Sequence, residues 1–153
     1  MDQRPILLVE DNPDDEALAI RAFRRSKVVN RIIVARDGAE ALTILFGGQD
    51  RDADRKHELP ALVLLDLKLP KVDGLEVLRR MRADDSTRYL PVVVMTSSSQ
   101  EEDRLASYEG GANSYVRKPV DFQRFVQSVE SLGIYWLVIN EPYPGRGRDA
   151  GAA

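Results

Sequence analysis

The chain has 153 residues, 43% of them apolar and 31% charged, a length and mixture that suit one compact domain with a full core and rule out several. With 22 basic against 25 acidic side chains the formal charge is −3, so no broad positive field exists to hold nucleic acid or an anionic membrane. The absence of cysteine excludes disulfides, thiolate-bound zinc, iron–sulfur clusters and thiol catalysis, and the single histidine, His57, cannot build a multi-histidine metal site.

The first apolar run, Ile6-Leu7-Leu8-Val9, is too short for a helix and reads as a strand buried on both faces. It stops at Glu10-Asp11. Asn12 then suits an N-cap, with Pro13 at the first helical position and Asp14, Asp15 and Glu16 in the first turn, where the helix dipole favours acids. Leu18, Ala19, Ala22 and Phe23 form the inward stripe of this helix. Residues 31–35 make a second strand. Asp37 opens a second helix with Ala39, Leu42, Leu45 and Phe46 facing inward and Gly47-Gly48 at its end. Residues 49–59 read as a charged loop that carries His57 on the surface.

Residues 61–65 (ALVLL) form the most apolar strand, which ends abruptly at Asp66. A turn-rich stretch, residues 70–74, leads into a helix with Leu75, Val77, Leu78 and Met81 inward. The fourth strand spans 91–95, followed by Thr96 and three serines, and a polar, acidic helix over 100–109 closed by Gly110-Gly111. Residues 114–116 make a short fifth strand ahead of Lys118-Pro119. The last helix begins near Asp121 and repeats Phe122, Phe125, Val126, Val129 and Leu132 at helical spacing. Five strand–helix units of these lengths predict an α/β fold with a parallel sheet covered on both faces, flavodoxin-like, with strand order 2-1-3-4-5 and a crevice beyond the C-terminal strand ends.

The chemistry gathers at those ends. Glu10 and Asp11 follow the first strand, Asp66 the third, Thr96 the fourth and Lys118 the fifth. One acid after a strand is ordinarily a cap or a solvated turn, but five such groups at successive strand ends are not independent caps, and no helix starts at Asp66. Converging carboxylates repel one another unless a cation fills the space between them, and Mg²⁺, a hard ion that combines a few carboxylates with waters and phosphate, suits the set better than Ca²⁺. Between such an ion and Lys118, Asp66 can attack phosphorus, while the Thr96 hydroxyl bonds a phosphoryl oxygen.

The stretches ILLVEDNPDD, LVLLDLKLPKVDGLEVL, VVVMTSSS and SYVRKPVD together resemble the receiver domain of bacterial two-component response regulators over roughly residues 5 to 132. The resemblance implies a phospho-accepting signalling domain rather than an enzyme acting on a separate substrate. It implies Asp66 as phosphoacceptor from a sensor kinase phosphohistidine, and Glu10, Asp11, Asp66 and the Lys68 backbone carbonyl as the Mg²⁺ ligands. Thr96 and Lys118 would contact the acyl phosphate, with Thr96 and Tyr115 as the switch pair and a cis peptide between Lys118 and Pro119. Glu10 stands where aspartate is often found, a change that lengthens the arm and leaves direct ligation to Asp11. Taken alone, Tyr115 also reads as an ordinary aromatic strand residue.

After Gly133 the chain is too short for an effector domain, so the expectation is a stand-alone receiver over 1–139 with an extended last helix, and a disordered tail over 140–153. Residues 134–139 are apolar all round. Either they extend the last helix over the domain's own core, as helix or strand, or they complete a homodimer surface on the face of the fourth helix, fifth strand and fifth helix, with Phe125, Tyr135, Trp136 and Leu137 in the interface. The long 49–59 loop and the YWLVINEPYP ending are similar to those of small single-domain regulators paired with bacterial phytochrome-type kinases. Such a protein would work in the cytoplasm and pass on a conformation, or its phosphate to a phosphotransfer histidine, without nucleic acid or membrane. No apolar run approaches the about 18 residues of a membrane span.

Two other classes compete. A phosphatase of the haloacid-dehalogenase type needs a second acid two residues after its nucleophile, and that position holds Lys68. A flavodoxin-like FMN carrier needs a phosphate loop rich in Gly, Ser and Thr, whereas the first loop here is Glu10-Asp11-Asn12-Pro13-Asp14-Asp15.

Overall fold

The computed structural model describes residues 4–26, 28–47, 59–118, 121–133 and 136. Strands and helices alternate: β1 (Ile6–Val9), α1 (Pro13–Arg25), β2 (Ile32–Ala35), α2 (Gly38–Phe46), β3 (Leu62–Leu65), α3 (Gly74–Ala83), β4 (Val92–Thr96), α4 (Glu101–Glu109), β5 (Ser114–Arg117) and α5 (Phe122–Gly133). The strands form one parallel sheet in the order β2-β1-β3-β4-β5, the flavodoxin-like arrangement expected from the alternation of short apolar runs with amphipathic helices.

Strand periodicity divides the core into two layers. Ile6, Leu8, Leu62, Leu64, Val93 and Met95 face Ala19, Ala22 and Phe23 of α1 and Phe125 and Val129 of α5. Leu7, Val9, Val63, Leu65, Val92 and Val94 face Ala41 and Leu45 of α2 and Val77, Leu78 and Met81 of α3. The three central strands are buried throughout, while β2 and β5 at the edges are partly open. Helix starts follow local chemistry: the side chains of Asn12, Asp37 and Asp73 each accept a bond from a backbone N–H of the first turn.

Two expectations are corrected, those for Phe125 and Thr96. Phe125 is not on an interface: it is 3% exposed and belongs to the layer between α1, α5 and the sheet, because the apolar stripe of α5 is used to cover its own sheet. Trp136 is half-buried and packs on that same layer, as the reading of residues 134–139 as a cover over the domain's own core expects. Thr96 is the last residue of β4 and 1% exposed, not a loop residue beyond the strand. The Lys118–Pro119 peptide, His57, Tyr135, Leu137 and the 140–153 tail lie outside the described residues. No described helix is long and apolar enough to cross a membrane.

Candidate functional site

Register builds the site. Val9 pairs with Leu65 across β1 and β3, so the next residues of the two strands, Glu10 and Asp66, emerge side by side. Backbone bonds continue the pairing past the strands, from Glu10 N–H to the Ala35 carbonyl (2.9 Å) and from Asp66 N–H to the Val9 carbonyl (3.1 Å). Lys118 lies one residue beyond β5, its N–H bonded to the Thr96 carbonyl at 2.8 Å. With neighbouring strands about 4.8 Å apart, only a long side chain reaches from there past β4 to β3 and β1. The Lys118 ammonium does so, donating to Glu10 Oε1 (2.5 Å), Asp15 Oδ2 (2.9 Å) and Asp66 Oδ2 (3.2 Å).

Asp66 is held on both oxygens, since Oδ1 accepts from the Leu67 N–H at 2.7 Å. Carboxylate oxygens of Glu10, Asp11 and Asp66 lie within 4.8 Å of one another, Glu10 buried and Asp11 open to solvent. Lys68, two residues beyond Asp66, has an exposed side chain in the turn that leads to α3. This oxygen-only set can hold a hard divalent cation. Burial is the largest influence on Glu10 and lifts its carboxyl to about 7, with the charge of Asp66 adding to the rise and Lys118 opposing it. Burial by itself would lower the Lys118 ammonium, but its bonds to Glu10 and Asp15 and the charges of Asp66 and Glu10 outweigh that and hold it above the ordinary lysine value.

Thr96 and Tyr115 both meet Ser98. The Ser98 N–H donates to Thr96 Oγ1 (3.3 Å), and the Tyr115 hydroxyl donates to the Ser98 carbonyl (3.2 Å). The Ser98 hydroxyl in turn donates to Asp103 in the first turn of α4 (2.5 Å). A single buried serine therefore links the strand-end hydroxyl, the aromatic and the helix.

The structure adds two residues that sequence reasoning left out of the site. Asp15 was assigned only to the helix start, and its ion pair spans 103 positions of sequence, a separation no local pattern reports. Gly74 opens α3 against the backbone beside Asp66: a Cβ there would lie 2.2 Å from the Asp66 carbonyl oxygen and 2.7 Å from Leu67 Cα. Its signal was a helix-disfavouring glycine in an otherwise strong first turn.

The geometry is thus a strand-end aspartate between a carboxylate cluster and a lysine, on a wound sheet of order 2-1-3-4-5. The response regulator receiver domain family matches residues 6–130, and the chain belongs to that family. It is 43% identical over 137 residues to the probable methanogenesis regulatory protein FilR2 of Methanothrix harundinacea, covering 86% of this chain and 83% of that one. Among solved structures it is similar to the bacteriophytochrome response regulator RtBRR (49% identity, 99% of this chain and 90% of that one, TM-score 0.73). It is similar as well to the phosphorylated cyanobacterial phytochrome response regulator RcpA (35% identity, 92% and 99% covered, TM-score 0.83). The Mn²⁺-bound form of response regulator Rcp1 is a third likeness (34% identity, 92% and 99% covered, TM-score 0.81).

Proposed function

We propose that the protein is a single-domain response regulator that accepts a phosphoryl group on Asp66 from the phosphohistidine of a sensor kinase, in a Mg²⁺-dependent reaction. The observation that carries this reading is the placement of the Asp66 carboxylate 3.2 Å from the Lys118 ammonium and inside a cluster of carboxylate oxygens. An Asp66 oxygen forms the new O–P bond as the donor P–N bond breaks, and the leaving imidazole nitrogen takes up a proton. Lys118 orients and neutralises the transferred oxygens. Glu10, Asp11, Asp66 and the Lys68 carbonyl would hold Mg²⁺, which would supply charge stabilisation at phosphorus. Thr96 would then bond a phosphoryl oxygen and, through Ser98, shift Tyr115 and α4 between two populations.

The phosphorylated RcpA and Mn²⁺-bound Rcp1 relatives support the chemistry, and the bacteriophytochrome regulator RtBRR supports a phytochrome-type kinase as donor. The output surface is the face of α4, β5 and α5, where Leu105 is 58% and Tyr108 50% exposed one helical turn apart, and a second copy of the chain is its occupant. The test is intact mass after incubation with phosphoramidate and Mg²⁺, read alongside size-exclusion elution. A magnesium-dependent phosphate adduct is expected in the wild type and none in Asp66→Asn; an unmodified wild type, beside a receiver that is modified under the same conditions, overturns the reading.

A further inference from the structure

An ammonium group has three N–H donors, and each of those on Lys118 has its own carboxylate: Glu10, Asp15 and Asp66. Two of these acceptors, Glu10 and Asp66, belong to the cluster that can take a cation. Asp15 does not. It sits in the first turn of α1, its backbone N–H tied to the Asn12 side chain at 3.1 Å, so its position is set by the helix cap and not by what fills the cluster.

A divalent cation in the cluster would compete with Lys118 for Glu10 and Asp66, whether it meets Glu10 directly or through a water, and set a like charge beside the ammonium. Apart from Glu10, Asp15, Asp66 and Lys118 the cavity at this point is lined by apolar residues, among them Leu8, Ala19, Met95 and Phe125, so Asp15 is the one anion of that lining left to the ammonium once a cation holds the other two. Lys118 has only 11% of its side chain exposed and Asp15 has 36%, so their ion pair lies where solvent screening is incomplete. We propose that Asp15 is a positioning residue: it keeps Lys118 in the pocket when a divalent cation claims Glu10 and Asp66, and in doing so sets the affinity of the site for that cation. The inference rests on the reading of the cluster as a cation site given above.

The alternative is that Asp15 contributes only one more negative charge, and a double-mutant cycle separates the two. Mg²⁺ affinity is measured by calorimetry on the unphosphorylated full chain for wild type, Asp15→Asn, Lys118→Met and the double variant. Asp14→Asn serves as control, because Asp14 is an exposed neighbour in the same helical turn. With Lys118 present, Asp15→Asn is expected to weaken binding about five- to tenfold, whereas in the Lys118→Met background, as with Asp14→Asn alone, the loss stays within about twofold. Asp15→Glu, which restores the anion, recovers most of the affinity. An equal loss with and without Lys118, or one no larger than that of Asp14→Asn, overturns the proposal while leaving the cation site intact. A wild type that binds neither Mg²⁺ nor Mn²⁺ overturns the cation reading itself and the proposal with it. Circular dichroism checks each fold, and should Asp15→Asn fail to fold, Asp15→Ser carries the same cycle.

Discussion

β3 with α3 and β4 with α4 are the same unit twice, a buried strand that delivers a polar residue to the site and a helix that leads away from it, yet they are held very differently. α3 is capped by Asp73, which accepts from the Glu76 N–H at 2.9 Å, and it buries Val77, Leu78 and Met81. At its far end Arg82 donates to the Gly111 carbonyl, the Asn113 side chain and the carbonyls of Thr87 and Arg88. α4 has no side-chain cap, and Ser107 is its single buried residue. Its attachment near the site is the bond between Ser98 and Asp103. Equal topology thus comes with unequal anchoring, and burial and capping, not connectivity, set how much a helix resists displacement. The nucleophile proposed at Asp66 stands on the fixed unit, and the hydroxyl proposed to sense phosphorylation, Thr96, stands on the loose one.

The largest test of this contrast compares two leucines. Leu78→Ala empties a fully buried position of α3 and is expected to cost about 2–5 kcal/mol. Leu105→Ala, at a position 58% exposed on α4, should stay within about 0.5 kcal/mol in urea denaturation. Leu105→Ala should nevertheless weaken self-association, read from the concentration dependence of elution. Equal costs for the two substitutions would erase the distinction between the helices.

Gly74→Ala asks whether the close seat of α3 matters to the site. The added methyl would meet the Asp66 carbonyl oxygen and Leu67 Cα well inside contact distance, and the start of α3 must lift. A loss of about 1–3 kcal/mol is expected from such overpacking, together with slower adduct formation with phosphoramidate as the Leu67 N–H, bonded to Asp66 Oδ1 at 2.7 Å, is pulled aside. A stability loss with an unchanged rate would separate the seat of α3 from the geometry of Asp66.

Much of this was legible in the sequence because it is local. An apolar run that stops at an acid marks both the strand and the strand end, so Glu10, Asp11 and Asp66 could be placed from residues 6–11 and 61–66 alone. Caps at Asn12, Asp37 and Asp73 are likewise written in three or four residues. What was not legible depends on distant parts of the chain. Asp15 looks the same whether it serves only the helix dipole or also meets a lysine on the far side of the sheet. The stripe that includes Phe125 has helical period, but period does not say what covers it, and here the domain's own sheet does. Ser98 stands in the serine run after Thr96, but its bonding role comes from three partners that only the packed β4–α4 turn brings within reach.

The smallest expected effect is the sharpest. Tyr115→Phe keeps the ring that packs on the core layer, on the residue paired in register with Val94, and removes only the hydroxyl, which donates to the Ser98 carbonyl at 3.2 Å. Ser98 keeps its bonds to Thr96 and Asp103, so the fold survives and the loss should be no more than about 0.5–1.5 kcal/mol. If α4 is held chiefly through Ser98, that loss falls on α4: hydrogen exchange of its amides should quicken by about two- to tenfold, while the amides of α3 stay as they were. Exchange that quickens equally in both helices would mean that they open together. The looseness of α4 would then belong to the whole domain, and a phosphoryl group near Thr96 would have no separate element to move.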